Sequence, residues 1–218
     1  MTIMEDKFDY FIPSEETRFE FKVENSRFIS VAAPVFSVED AKLLLARMKS
    51  EYKNGSHYVS AYIIGYGATV IAHCNDDGEP VGTAGRPALA VLQGSDIGDI
   101  GVVVIRYYGG IKLGTGGLVR AYGNAVKEVL KILPKAKCIL VKTYQLLIPY
   151  SFYNSIKKSI QNQNGRILNE EFTSEIVITA DFSIQDSNIF VDDVRKISNG
   201  KIKPLEIDSK RKTISIAK

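Results

Sequence analysis

The chain is predicted to be an α+β protein of two domains, residues 1–136 and 137–218. Three observations predict this. At 218 residues it exceeds one ordinary compact domain and falls short of three. Strand-type alternation and helix-type periodicity are interspersed along the chain. After Pro134–Cys138 the pattern restarts as β-α-β-β-α-β, the split βαβ or ferredoxin-like order.

Residues 1–16 read as a lead-in broken at Pro13. From Thr17 to Val23, Phe19, Phe21 and Val23 alternate with polar residues, as in a half-buried strand. Glu24-Asn25 turns the chain into a second strand, Arg27 to Ala33, to make a hairpin. Ser37 is placed to cap a helix, with Glu39 and Asp40 favouring the positive end of its dipole. Ala41, Leu44, Leu45 and Met48 form its apolar stripe, and Asn54-Gly55 ends it. Strands at Tyr58–Ile64 and Thr69–Cys74 flank the Gly65–Gly67 turn. Pro87 opens a short helix with Leu89, Val91 and Leu92 inward and Gly94 as its stop. Gly101–Ile105 is a continuous β-branched run, the profile of a buried strand. Gly109–Gly117 is a glycine-dense loop. Leu118 to Leu133 then reads as a helix with Leu118, Tyr122, Ala125 and Val129 on its core face.

In the second half a strand at Ile139–Ile148 leads to a helix that Ser151 caps and Gly165 ends. Strands Arg166–Phe172 and Glu175–Ile184 form a hairpin around Thr173-Ser174. A helix from about Asp186 to Ser198 follows, and a last strand or two lies within Lys201–Ile216.

Composition excludes several classes. The formal charge is +3, with the small basic excess in the second half; this is too weak to mark a nucleic-acid binder by itself, and a basic patch assembled by folding stays open. The two cysteines, Cys74 and Cys138, are far apart and give no disulfide framework, which fits a reducing, cytoplasmic setting. No apolar run reaches the roughly 20 residues that span a bilayer. The acidic opening around Glu5, Asp6 and Asp9 is unlike a signal peptide. No membrane association is therefore expected.

Two segments carry candidate chemistry. In Asp76-Asp77-Gly78-Glu79-Pro80, three carboxylates crowd four positions, so they repel unless a cation or solvent relieves them. Asp76, Asp77 and Glu79 could hold magnesium through oxygen ligands. A solvated turn, its carboxylates accepting from backbone amides, is the better account of them. The second segment runs from Arg106 and Tyr107 through Gly109, Gly110, Lys112, Gly114, Gly116 and Gly117 to Arg120. A buried strand emptying into glycines before a helix lets backbone N–H groups approach an anion. The same glycines also serve tight turns and close packing. Thr115 stands where a Walker lysine belongs, and Val119 where the dinucleotide pattern needs glycine. His57, His73 and Cys74 match no zinc spacing, so no metal site is assigned to them.

At these same residues the sequence resembles the IMPACT family, in its bacterial YigZ-type branch. The likeness rests on Ser26-Arg27-Phe28-Ile29, His57, Asp76–Pro80, Gly82–Gly85, Arg106–Gly110 and Leu113–Tyr122, and covers roughly residues 17–132. It implies that the first domain is the α/β sandwich named after the second domain of ribosomal protein S5, and the second a ferredoxin-like domain. Such a pair is similar to the last two domains of elongation factor G, which touch the ribosome. Eukaryotic members regulate translation initiation through a partner system that is itself eukaryotic.

The resemblance and the glycine loop together suggest a translation-linked regulator that binds RNA, the ribosome or a translation factor, rather than an enzyme. The alternative is a magnesium-dependent enzyme acting on a phosphorylated small molecule or nucleic acid. On either reading Arg27, His57, Asp76, Asp77, Glu79, Arg106, Lys112 and Arg120 are expected around one polar groove beside the glycine loop.

Overall fold

A β-branched run is apolar on both faces because both faces are covered, and the run after Gly101 takes that place. The computed structural model describes residues 10–67 and 70–215. The chain divides into two compact units, one ending at Lys137 and the other spanning Cys138–Ile214.

The first unit contains β1 (Tyr10–Pro13), β2 (Thr17–Val23), β3 (Ser26–Pro34), α1 (Val38–Glu51), β4 (His57–Ile64), β5 (Ile71–Asn75), α2 (Gly85–Gln93), β6 (Ile100–Tyr107) and α3 (Gly114–Ile132). Its main sheet has the order β2-β3-β6-β4-β5, antiparallel throughout. β6 is the central strand. Val102 and Val104 point to one face, where Ala88 and Leu92 of α2 and Tyr122, Ala125 and Val129 of α3 cover them. Val103 and Ile105 point to the other, where Ala41, Leu44 and Met48 of α1 pack. The predicted helical stripe is thus the buried one, and Ser37 Oγ accepts from Asp40 N at 3.0 Å as its cap.

Several boundaries differ from the sequence reading. The lead-in contains β1, held because Tyr10 and Ile12 are buried and the Tyr10 hydroxyl donates to Asp99 Oδ2 at 2.5 Å. α2 begins at Gly85, two residues before Pro87, because a distant carboxylate caps it. α3 begins at Gly114 rather than Leu118. Leu113 packs against the core, so the chain is anchored before the turn and can coil as soon as it leaves it. The expected strand start at Thr69 lies outside the described residues.

The second unit continues β7 (Lys135–Ile148), which begins at the end of the first, and adds α4 (Tyr153–Asn162), β8 (Arg166–Phe172), β9 (Ile176–Ser183), α5 (Ile184–Ile197) and β10 (Leu205–Ser215). β7 pairs with β9 and β10, and β9 with β8. One core joins Leu146 and Ile148 of β7 to Ile156 and Ile160 of α4 and to Phe190 and Val194 of α5. Ser151 is no cap; a 3-10 turn at Tyr150–Phe152 precedes α4. Ser183 caps α5 by accepting from Asp186 N at 3.1 Å, which starts that helix two residues early. Among the described residues no helix is long and apolar enough to cross a membrane.

Candidate functional site

Antiparallel register sets the site. Phe28 of β3, Arg106 of β6 and His57 of β4 lie abreast at the end of the sheet, on the face covered by α3. Arg106 is 4% exposed, an unusual place for a guanidinium. It lies between the rings of Phe28 and Tyr108, at 5.5 and 5.3 Å. Nη1 donates to Glu79 Oε1 at 2.7 Å and Nη2 to Ser26 Oγ at 3.2 Å. Among the described residues, its buried Nε has no hydrogen-bond partner.

Glu79 is also buried. Its Oε1 accepts from the Tyr122 hydroxyl at 2.7 Å and lies 3.7 Å from His57 Nε2. Burial raises the Tyr122 phenol far above its ordinary range, and the bond to Glu79 adds to this, so the hydroxyl keeps its proton and stays a donor. His57 Nδ1 lies 2.9 Å from the Asp77 carbonyl. A carbonyl only accepts, so Nδ1 carries the hydrogen and donates it to Asp77. Arginine and tyrosine thus donate to one carboxylate oxygen, and His57 holds the Asp77 carbonyl, tying the acidic turn to the sheet and to α3.

The three carboxylates do different things. Asp76 Oδ1 accepts from Gly85 N at 2.7 Å and Ala84 N at 3.1 Å, and Oδ2 from Gly82 N at 2.8 Å. This is the distant cap of α2. Burial raises the Asp76 pKa, but the three amides outweigh it and hold the carboxyl below its ordinary value. Asp77 accepts from Tyr58 N at 2.7 Å and pairs with Lys49 at 3.0 Å. Only Glu79 enters the buried cluster. Among the described residues, no group of three or more His, Cys, Asp or Glu side chains is placed to hold a metal ion. Asp76, Asp77 and Glu79, the carboxylates that could hold magnesium, accept in this structure from amides, cations and the Tyr122 hydroxyl.

The glycine loop passes over this clasp. Gly109 N lies 3.4 Å from Ser26 Oγ, and a Cβ on Gly109 would stand 2.0 Å from the Asn25 carbonyl oxygen, so the loop presses on the β2–β3 turn without room for a side chain. Beyond it Tyr108, Gly110, Ile111 and Lys112 are exposed. Gly114 takes φ +69° at the mouth of α3, a conformation costly for other residues. That helix has no acid in its first turn and, among the described residues, no side-chain cap. Exposed Gly116 adjoins Arg120, whose Nη1 lies 3.9 Å from where a Gly116 Cβ would be. Helical side chains lean toward the N-terminus, which brings a guanidinium back over free N–H groups.

The expected single groove is therefore divided. Arg106, Glu79 and His57 meet as a largely buried clasp, while Lys112, Gly114, Gly116, Gly117 and Arg120 belong to the surface above. Arg106 is not a surface ligand, because Glu79 and Ser26 take its Nη groups. Arg27 and Tyr107 stand on the opposite face, since side chains alternate and Tyr107 follows Arg106. There Arg27 pairs with Glu20 at 2.7 Å and lies over the Tyr107 ring. Tyr122 and Ser26 were missed as site residues. A tyrosine on an apolar helical stripe was the available signal, since a buried hydroxyl needs a partner.

Fold and site define a two-unit α+β protein whose first unit carries a buried arginine–glutamate clasp beneath an exposed glycine loop. Residues 24–130 match the Impact N-terminal domain. A Haemophilus influenzae IMPACT family member is 35% identical over 195 residues, covering 89% of this chain and 95% of the relative. The Escherichia coli IMPACT family member YigZ is 35% identical over 170 residues, covering 78% and 83%. A crystal structure of a hypothetical protein superposes with a TM-score of 0.63 at 32% identity, covering 92% of this chain and 98% of that one. The chain belongs to the IMPACT family.

Proposed function

We propose that this protein is a translation-linked regulator that acts by binding, and that its glycine loop contacts RNA phosphate. The observation that supports this best is the start of α3: an uncapped helix end, free of acids, with the Arg120 guanidinium over Gly116. Free N–H groups and the helix dipole favour an anion at such a place. Lys112 stands exposed in the same loop, and Tyr108 offers a half-exposed ring for a base. The clasp below gives this surface a rigid seat, because Arg106 and Tyr122 tie both ends of the loop to Glu79. Family membership supplies the link to translation.

Filter binding of the full chain to ribosomal RNA fragments across a salt series tests the reading. Binding is expected to weaken steadily with salt. Lys112→Ala and Arg120→Ala are each expected to weaken it and to lower the salt slope by about 1, as loss of one phosphate contact does. No binding at low salt, or binding indifferent to both substitutions, overturns the proposal.

A further inference from the structure

Beside the glycine loop, a groove lies between α2, α3 and β2 that the phosphate reading does not use. Its lining includes apolar Phe21 and Val23 from β2, Pro87 and Val91 from α2, and Leu113. Val91 and Lys127 also line a second hollow, which runs past Ala90 and Gly94 to Lys135. Sharing these residues, the two hollows form one channel along the flank of α3.

The rim of the channel is basic. Arg120, Lys127 and Lys131 recur at i, i+7 and i+11 along α3, which places them on one helical face. Lys131 pairs with Glu128 at 2.6 Å and Lys135 with Asp96 at 3.1 Å. Among the described residues, Arg120 and Lys127 make no hydrogen bond or ion pair. Glu24, near the loop end, is the acidic residue among those lining the channel.

We propose that this channel receives an acidic amphipathic helix from a partner protein. An apolar floor beside the unpaired cations Arg120 and Lys127 of α3 matches a helix with an apolar stripe and carboxylates along one edge of it. An RNA strand matches it poorly: Phe21 is half-buried and is the only aromatic residue in the lining, which gives little for bases to stack on. From Gly117 to Lys131, α3 rises about 21 Å, the length of a helix of about 14 residues. Arg120 borders both the channel and the phosphate-binding surface, but the channel's apolar floor is separate from that surface.

The full chain is titrated by fluorescence anisotropy with three labelled synthetic peptides of about 15 residues. The first carries leucine at helical spacing among glutamates. The second replaces its leucines with serine, and the third its glutamates with lysine. The first is expected to bind, and the others to bind at least about tenfold more weakly. Asn124 and Lys127 are exposed lining residues. Asn124→Trp, which fills the channel, and Lys127→Glu are each expected to weaken the first peptide by about tenfold or more. An unchanged thermal transition shows that the fold is intact. Lys112→Ala is expected to leave peptide binding unchanged while weakening RNA, so the two readings fail separately. No binding of the first peptide, equal binding of all three, or indifference to both channel substitutions overturns the proposal. RNA binding lost in Asn124→Trp would reassign the channel to RNA.

Discussion

Arg106 and Glu79 are a charged pair that folding removes from water, so each depends on the other. Taking two charges out of water costs several kcal/mol per ion, which close geometry and further hydrogen bonds must offset. Arg106→Ala leaves Glu79 buried without its cation and is expected to cost about 3–5 kcal/mol in urea denaturation. Tyr122→Phe removes one bond to a charged acceptor and is expected to cost less, about 1.5–3 kcal/mol. The reverse ranking would show that Arg106 does not hold the clasp. Asp76 makes a prediction in pH. Its carboxyl lies below its unfolded value because three backbone amides outweigh the burial that raises it. Stability from this group is therefore present above the unfolded value and lost as pH falls below about 4 and through the folded value. Asp76→Asn is expected to flatten that acid limb in thermal melts. An unchanged acid limb would mean that the amides do not hold the charge.

At α2 and α3, local sequence meets distant partners. α2 has no side-chain cap of its own, yet its first amides are satisfied by a residue from the preceding turn. Among the described residues no side chain caps the start of α3, which leaves its N–H groups available. The approach to α3 depends on Gly109, where backbone meets backbone. A backbone carbonyl cannot yield as a flexible side chain can, so Gly109→Ala must push the loop off the β2–β3 turn. Gly109→Ala is expected to lower the thermal midpoint and RNA affinity together, whereas Lys112→Ala lowers affinity alone. An unchanged midpoint in Gly109→Ala would show that the contact is not tight.

The two units carry separate cores, and this predicts separate responses to damage. Phe190 is fully buried and stacks on Phe182 at 4.1 Å in the second unit. Phe190→Ala is expected to cost that unit about 3–5 kcal/mol. Hydrogen exchange should quicken at β9 while amides of β6 stay protected. Equal loss of protection in both strands would show that the units unfold as one.

Most elements were legible because their signals are local. The alternation of 17–23, the stripe Ala41–Leu44–Met48 and the β-branched run at 101–105 each show in a short window what the element buries. The segments that form the clasp could be named for the same reason: three crowded carboxylates and a run of glycines stand out in any chain. Their roles could not, because pairing register and helix packing assign them. Whether Arg106 faces the same side as Phe28 or as Arg27 depends on one residue of alternation, and only the sheet reveals it. Whether Asp76 caps a helix or binds a cation depends on amides six to nine positions away. A charged side chain takes its role from whatever neutralises it, and those partners were brought in from other elements by packing the core.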